Sequence, residues 1–248
     1  MLSIIAKTIK IHVFTISAII AVCISVDVFA ADRTLYISSA FRAPYIEPPY
    51  DGLVWSRLKN IENGLDIQFK FVDVPAARSL VLANSAQIDG DVIRRYEIGE
   101  HYPDLIRVPQ AVIEIEISVF SWDPDNIIHS FSDFNKMNEG IVATQIGRKF
   151  IEKNLSSIRN SMFVNDIEHI FSLLEKKRID FVVLDRPTAL AAMGSRFGDS
   201  LFEVSSKPLS KVKYYLYLHK KHADLVDLIS AELERDYYIV DEMLSSAH

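Results

Sequence analysis

From Thr34 onward, apolar strand patterns alternate with helix patterns, and this order restricts the chain to folds built on a parallel sheet more than any other feature. Thr34–Ser39 (TLYISS) predicts a first strand, and Leu53–Ile61 a helix whose Val54, Leu58 and Ile61 fall at helical spacing. Leu65–Val74 reads as a strand, because Leu65, Ile67, Phe69 and Phe71 alternate with polar neighbours. Pro75 then opens a helix to about Asn84, and Ile88–Ile93 returns as a strand. Val112–Phe120 (VIEIEISVF) predicts one long strand with Glu114 and Glu116 on one face and Ile113, Ile115, Ile117 and Val119 on the other.

A second α/β series follows the turn Trp122–Asp125. Its elements are a strand over Gly140–Gln145, a helix near Arg148–Leu155, a strand over Ser161–Val164 and a helix over Asp166–Arg178. In that helix Ile167, Ile170, Phe171 and Leu174 stand at i, i+3, i+4 and i+7, which makes one continuous apolar stripe. Ile179–Leu184 (IDFVVL) reads as a buried strand, and Pro187 suits the first turn of the helix after it. A linker over Ser205–Lys211 leads to a strand at Val212–His219 and a terminal helix from about Asp224 to Leu244.

The N-terminus has a different character. Met1–Ala30 carries Lys7 and Lys10, then the apolar stretch Val13–Val26, then Val28-Phe29-Ala30, which is the layout of a secretory signal peptide cut after Ala30. The apolar run before Asp27 falls short of the ~20 residues of a bilayer span, so removal is expected rather than retention, and a periplasmic location follows. Cys23, the one cysteine, lies inside this segment; Ile20–Cys23 resembles a lipoprotein box apart from Val22, where a small residue belongs. Disulfides and thiol catalysis are therefore not expected in the mature chain. A net charge of −6 without a dense Lys/Arg run argues against nucleic acid as a partner. With 8 glycines and no Walker or dinucleotide fingerprint, phosphate-cradling loops and their cofactors are not expected either.

The order of these elements, with Ile88-Asp89-Gly90, Tyr102–Pro109 (YPDLIRVP) and Lys177–Asp185 (KRIDFVVLD), resembles the family 3 extracellular solute-binding proteins, the amino-acid-binding group. The resemblance covers nearly the whole mature chain and rests on order and spacing, since each motif is short. It implies an α/β fold of two lobes joined by two hinge strands. Lobe one would comprise residues 31–120 and 211–248, and lobe two residues 121–210. A small-molecule solute, an amino acid or small carboxylate, would sit between the lobes and be captured by hinge closure. The implied protein is a monomer without cofactor or metal, working with an inner-membrane permease of the ABC transporter type or with a sensor receptor.

Carried over residue by residue, the resemblance makes Asp185 the acceptor for a ligand's α-amino group; the competing role is a cap for the helix at Pro187. The arginine that usually meets the ligand carboxylate is replaced by His101, whereas Arg94 and Arg95 fall where small hydroxyl residues are usual. A guanidinium fork suits a carboxylate, so Arg94 is expected to face the cleft ahead of Arg95; solvated pairing with Asp91 or Glu97 is the alternative. Arg42 stands in place of a stacking ring, flanked by Phe41 and Tyr45, and with Arg78 would make a cationic rim. Thr144 and Gln145 end a strand of lobe two and are candidates for hydrogen bonds to the solute.

Other chemistries are less well supported. Glu97, Glu100, Glu114 and Glu116 have no spacing that demands acid–base work, although some proteins on this fold are dehydratases or murein-cleaving enzymes. His219-x-x-His222 straddles a strand–helix junction without a third ligand, so neither a metal site nor an enzyme is expected.

Overall fold

A computed structural model describes residues 33–47, 51–137, 140–194 and 202–246, with the side chains of the last helix described as far as Asp236. The expected signal peptide and Cys23 lie outside the described residues. Among those described, no helix is long and apolar enough to cross a membrane.

The first series of elements comprises β1 (Arg33–Ser39), α1 (Leu53–Gly64), β2 (Ile67–Phe71), α2 (Ala76–Asn84) and β3 (Gly90–Arg94). The short strand β4 (Leu105–Arg107) and the long strand β5 (Ile113–Ser121) follow. The second series runs through β6 (Val142–Gln145), α3 (Lys149–Leu155), β7 (Ser161–Val164), α4 (Ile167–Glu175), β8 (Phe181–Asp185) and α5 (Arg186–Met193). The chain closes with β9 (Phe202–Glu203), β10 (Ser210–His219) and α6 (Ala223–Ser246). The predicted elements are all present; β2, predicted over ten residues, keeps only its central five. A 3₁₀ turn at Tyr96–Glu100 and strand β4 were not predicted, since neither is long enough to show a period.

The strands follow the order β2-β1-β3-β10-β5-β8-β6-β7, with β4 beside β10 and β9 beside β5. β1 and β3 run parallel, as do β6 with β7 and with β8, so two parallel groups lie at opposite ends of the path. They meet through the antiparallel pair β5 and β10, where Ser210 faces Ile117 and Tyr214 faces Ile113. The later residues of β10 turn to β3 and β4, and the later residues of β5 turn to β8.

Burial along β5 reflects this change of neighbours. Glu114 is exposed between Ile113 and Ile115 and joins Glu116 in contact with Lys211, so the first half is amphipathic. From Ile117 to Ser121 every residue is buried, with Val119 in one apolar cluster and Phe120 in another. The strand begins with one wet face and ends covered on both.

The α4 stripe packs as its periodicity requires. Ile170, Phe171 and Leu174 are fully buried against Val182, Leu184 and Ala189, each worth roughly 1.5–3 kcal/mol of apolar burial. Asp166 caps the helix by accepting from the His169 amide at 2.8 Å.

Candidate functional site: a cavity at the strand ends

A cavity of about 490 Å³ opens where the parallel strands end. Ala40 and Phe41 follow β1; Ile93, Arg94 and Arg95 end β3; Gly147 and Arg148 follow β6; Asp185 ends β8. All four contributions come from C-terminal strand ends, the side of an α/β sheet on which ligands bind. Ile98, Ile115, Ile117, Phe150, Ile151 and Tyr214 complete an apolar wall.

A regular strand sends alternate side chains to opposite faces, yet the consecutive Ile93 and Arg94 both reach the cavity. Ile93 has φ of 60°, the left-handed region, where a β-branched residue is rare. Tyr215 of β10 faces Arg94 and Tyr217 faces Asp91, so the register slips at this point and β3 carries a bulge. The bulge breaks the regular alternation at this point. Gly147, with φ of 98°, makes the corresponding turn between β6 and α3 and brings Arg148 back to the wall.

Asp185 is 2% exposed, and both of its oxygens are engaged. Oδ1 accepts from the Tyr45 hydroxyl at 2.5 Å and from the Thr188 amide at 3.1 Å. Oδ2 lies 2.7 Å from Arg148 Nη1, an ionic contact whose angles fall outside hydrogen-bond geometry. The expected ligand acceptor is therefore also the N-cap of α5 and one half of an ion pair. Burial, and then the negative charge of Asp185, push the Tyr45 hydroxyl well above its ordinary pKa and hold it as a donor. The same two causes raise Tyr214.

Arg148 had no signal in the sequence beyond its place after a strand end and a glycine. Its Nε donates to Gln145 Oε1 at 3.2 Å, Nη2 donates to Thr188 Oγ1 at 3.1 Å, and the guanidinium lies 4.9 Å over the ring of Phe41. Phe41 stands edge-to-face with Tyr45 and Tyr214 at 5.4 and 5.2 Å, which fixes the plane on which Arg148 rests.

Arg94 lines the cavity but is not a free cation. Its Nη2 donates to Asp91 Oδ2 at 2.8 Å, Ser79 Oγ at 2.7 Å and the Ala76 carbonyl at 2.6 Å. Arg94 Nε and Asp91 Oδ1 are buried without hydrogen-bond partners. Arg95 pairs with Glu97 at 2.7 Å, and both line the cavity. The pairings with Asp91 and Glu97 named as the alternative are thus both made, Arg94 buried and Arg95 half-exposed.

His101 also lines the cavity, together with Phe41, Arg94, Arg95 and Asp185. Five other expected residues do not. Arg42 turns away, donating to Asp73 at 2.6 Å and to the carbonyls of Ser39 and Val74, so the stacking position it was read as replacing is not a cavity position. Arg78 is exposed on α2, so Arg42 and Arg78 form no cationic rim on the cavity. Thr144 is buried inside the sheet, and Gln145 is spent on Arg148 and the Asn165 carbonyl. Tyr45 is fully buried and touches the site through Asp185.

Among the described residues no group of three or more His, Cys, Asp or Glu side chains is placed to hold a metal ion. His219 ends β10, and His222 Nε2 lies 2.6 Å from the buried Asp89, so the two histidines serve the junction with α6.

No family model matches the chain. An uncharacterised protein of Shewanella oneidensis is 25% identical over 181 residues, 69% of this chain and 66% of that protein, just under two thirds of its length. Among solved structures, the GluR0 ligand-binding core in complex with L-glutamate matches 84% of this chain and 94% of its own, with a TM-score of 0.68 at 14% identity. The arginine-binding protein ArgBP of T. maritima in its holo form matches 85% and 95%, with a TM-score of 0.58 at 21% identity. A histidine kinase sensor domain with similarity to periplasmic binding proteins matches 87% and 95%, with a TM-score of 0.63 at 12% identity. With two parallel strand groups joined through β5 and β10, this chain has the two-lobed α/β fold of the periplasmic solute-binding proteins.

Proposed function

We propose that this protein captures a small polar solute bearing a carboxylate, an amino acid or small carboxylate, in the cavity at the strand ends and does not transform it. The observation that carries this reading is the make-up of the wall. Arg94, Arg95, Arg148 and Lys149 stand on it against Glu97 and Asp185, with His101 and an otherwise apolar lining. Asp91 and Glu152, the partners of Arg94 and Lys149, do not line the cavity, so cations outnumber carboxylates on its wall. Few polar groups in an apolar concavity is the usual form of a small-molecule site.

On this reading the lobes are residues 31–120 with 211–248 and residues 121–210, moving about β5 and β10. The chain is exported by its first 30 residues, acts as a monomer in the periplasm and passes the solute to a membrane permease. A sensing role is the second reading, favoured by the likeness to the histidine kinase sensor domain.

A thermal-shift screen of amino acids and small carboxylates tests the binding role. A solute that binds the folded form alone, at a hundredfold excess over Kd, should add about 2.7 kcal/mol of stability. Mass spectrometry should recover it unchanged after incubation. A panel without a single stabilising member, or recovery of an altered compound, would sink the proposal.

A further inference from the structure

Asp185 has the chemistry to hold a cation in the cavity: a buried carboxylate at the C-terminal end of a core strand. That place is already filled from within the chain. Arg148 Nη1 stands 2.7 Å from Oδ2, while Oδ1 takes the Tyr45 hydroxyl and the Thr188 amide. The guanidinium is also fastened by Gln145, by the Thr188 hydroxyl and by the face of Phe41, and only 13% of the side chain is exposed. An incoming ammonium group would have to dislodge this arginine or lie beside it as a second cation on one carboxylate. Both cost free energy that a solute without an amine does not spend.

We infer that Arg148 is an internal counter-ion that occupies the cation position of the cavity, so that the site selects solutes carrying carboxylates and no ammonium group. The inference rests on the reading of the cavity as the solute site. It narrows the solute to a short-chain carboxylate, whose charge meets the more exposed Arg95 or Lys149 and whose carbons lie against Ile93, Ile117, Phe150 and Tyr214. Arg148 then sets specificity by neutralising Asp185.

The test uses matched pairs differing in one amine, glutarate with L-glutamate and succinate with L-aspartate, titrated calorimetrically into the mature chain. The amine-free member of the tighter pair should bind the wild type at least about tenfold more strongly, because juxtaposed like charges discriminate by more than 1.4 kcal/mol. Arg148→Met should shrink or reverse that ratio by admitting the amine, and Arg148→Lys, which keeps the charge, should preserve it. A readout without solute accompanies these: millimolar methylguanidinium should raise the melting temperature of Arg148→Ala and leave the wild type unmoved.

Equal or tighter binding of the amine-bearing member by the wild type would overturn the inference and leave the binding role standing. A uniform loss across both members in Arg148→Met would also overturn it, by showing that Arg148 contacts the solute itself. If no probe binds but methylguanidinium stabilises Arg148→Ala, the binding role falls while the internal counter-ion is upheld. If neither occurs, both fall.

Discussion

Arg94 and Asp91 show what a charge costs at the wall of this cavity. Asp91 is fully buried, and burial raises its pKa against the opposing hydrogen bond and charge of Arg94. Arg94→Ala leaves that carboxylate uncompensated, and denaturant unfolding at neutral pH should show a loss of about 3–5 kcal/mol. Arg95→Ala breaks only the half-exposed pair with Glu97 and should cost about 0–1 kcal/mol. The sign of the pH dependence follows from burial: without Arg94 the folded pKa of Asp91 lies further above its unfolded value. The penalty is then largest above the folded pKa and shrinks as acid protonates Asp91. A deficit equal to that of Arg95→Ala, or one insensitive to pH, would show that Asp91 finds another donor. At this scale the sequence marked Arg94 by its place at a strand end, and Asp185, Phe41 and His101 through the family resemblance. It was silent on Arg148, whose role comes from Asp185, Phe41 and Thr188, none of them its neighbours in sequence.

Among the elements, the 3₁₀ turn at Phe131–Lys136 depends on its cap. Ser130 and Asp133 form a capping box, and Asp133 accepts from the amides of His129 and Ser130 at 3.0 and 2.9 Å and from Lys136 Nζ at 2.6 Å. The Lys136 bond first, and then the His129 amide, lower the Asp133 pKa from 3.8 to about 2. A lowered folded pKa contributes stability that is full above the unfolded value and is lost as pH falls through the folded one. Asp133→Ala should therefore cost about 1 kcal/mol near neutral pH, the usual worth of such a cap. The difference from wild type should fade between 3.8 and about 2. Chemical denaturation at a series of pH values measures it, and a constant difference would place the effect outside this carboxylate. The sequence announced α4 and β5 because their periods run long enough to be read, whereas β4 and the 3₁₀ turns are too short to carry one.

For the whole molecule, side-chain contacts tie the two strand groups together across the cavity. Tyr45, from the segment between β1 and α1, donates to Asp185 at the end of β8, and Phe41 lies under Arg148. We expect Tyr45→Phe to loosen this tie, since it removes a bond to a charged acceptor worth about 1.5–3 kcal/mol. Small-angle scattering should then give a larger radius of gyration for the unliganded variant than for wild type. The two radii should converge when a bound solute favours the closed form. Equal radii without solute would show that this bond does not hold the lobes together.

The order of strands and helices was set by the sequence alone, because hydrophobic periodicity and turn residues act over a few neighbours, and those fix the α/β class and the sides that become core. It also located strand ends that line the cavity. Which charges stand free there was decided only by the tertiary structure. Asp185 is met by Tyr45, 140 residues away, and by Arg148 across the loop from β6. Arg42, expected on a cationic rim, is drawn off to Asp73. An ionic group takes whichever partner folding brings within about 4 Å, and that distance is a property of packing rather than of spacing along the chain.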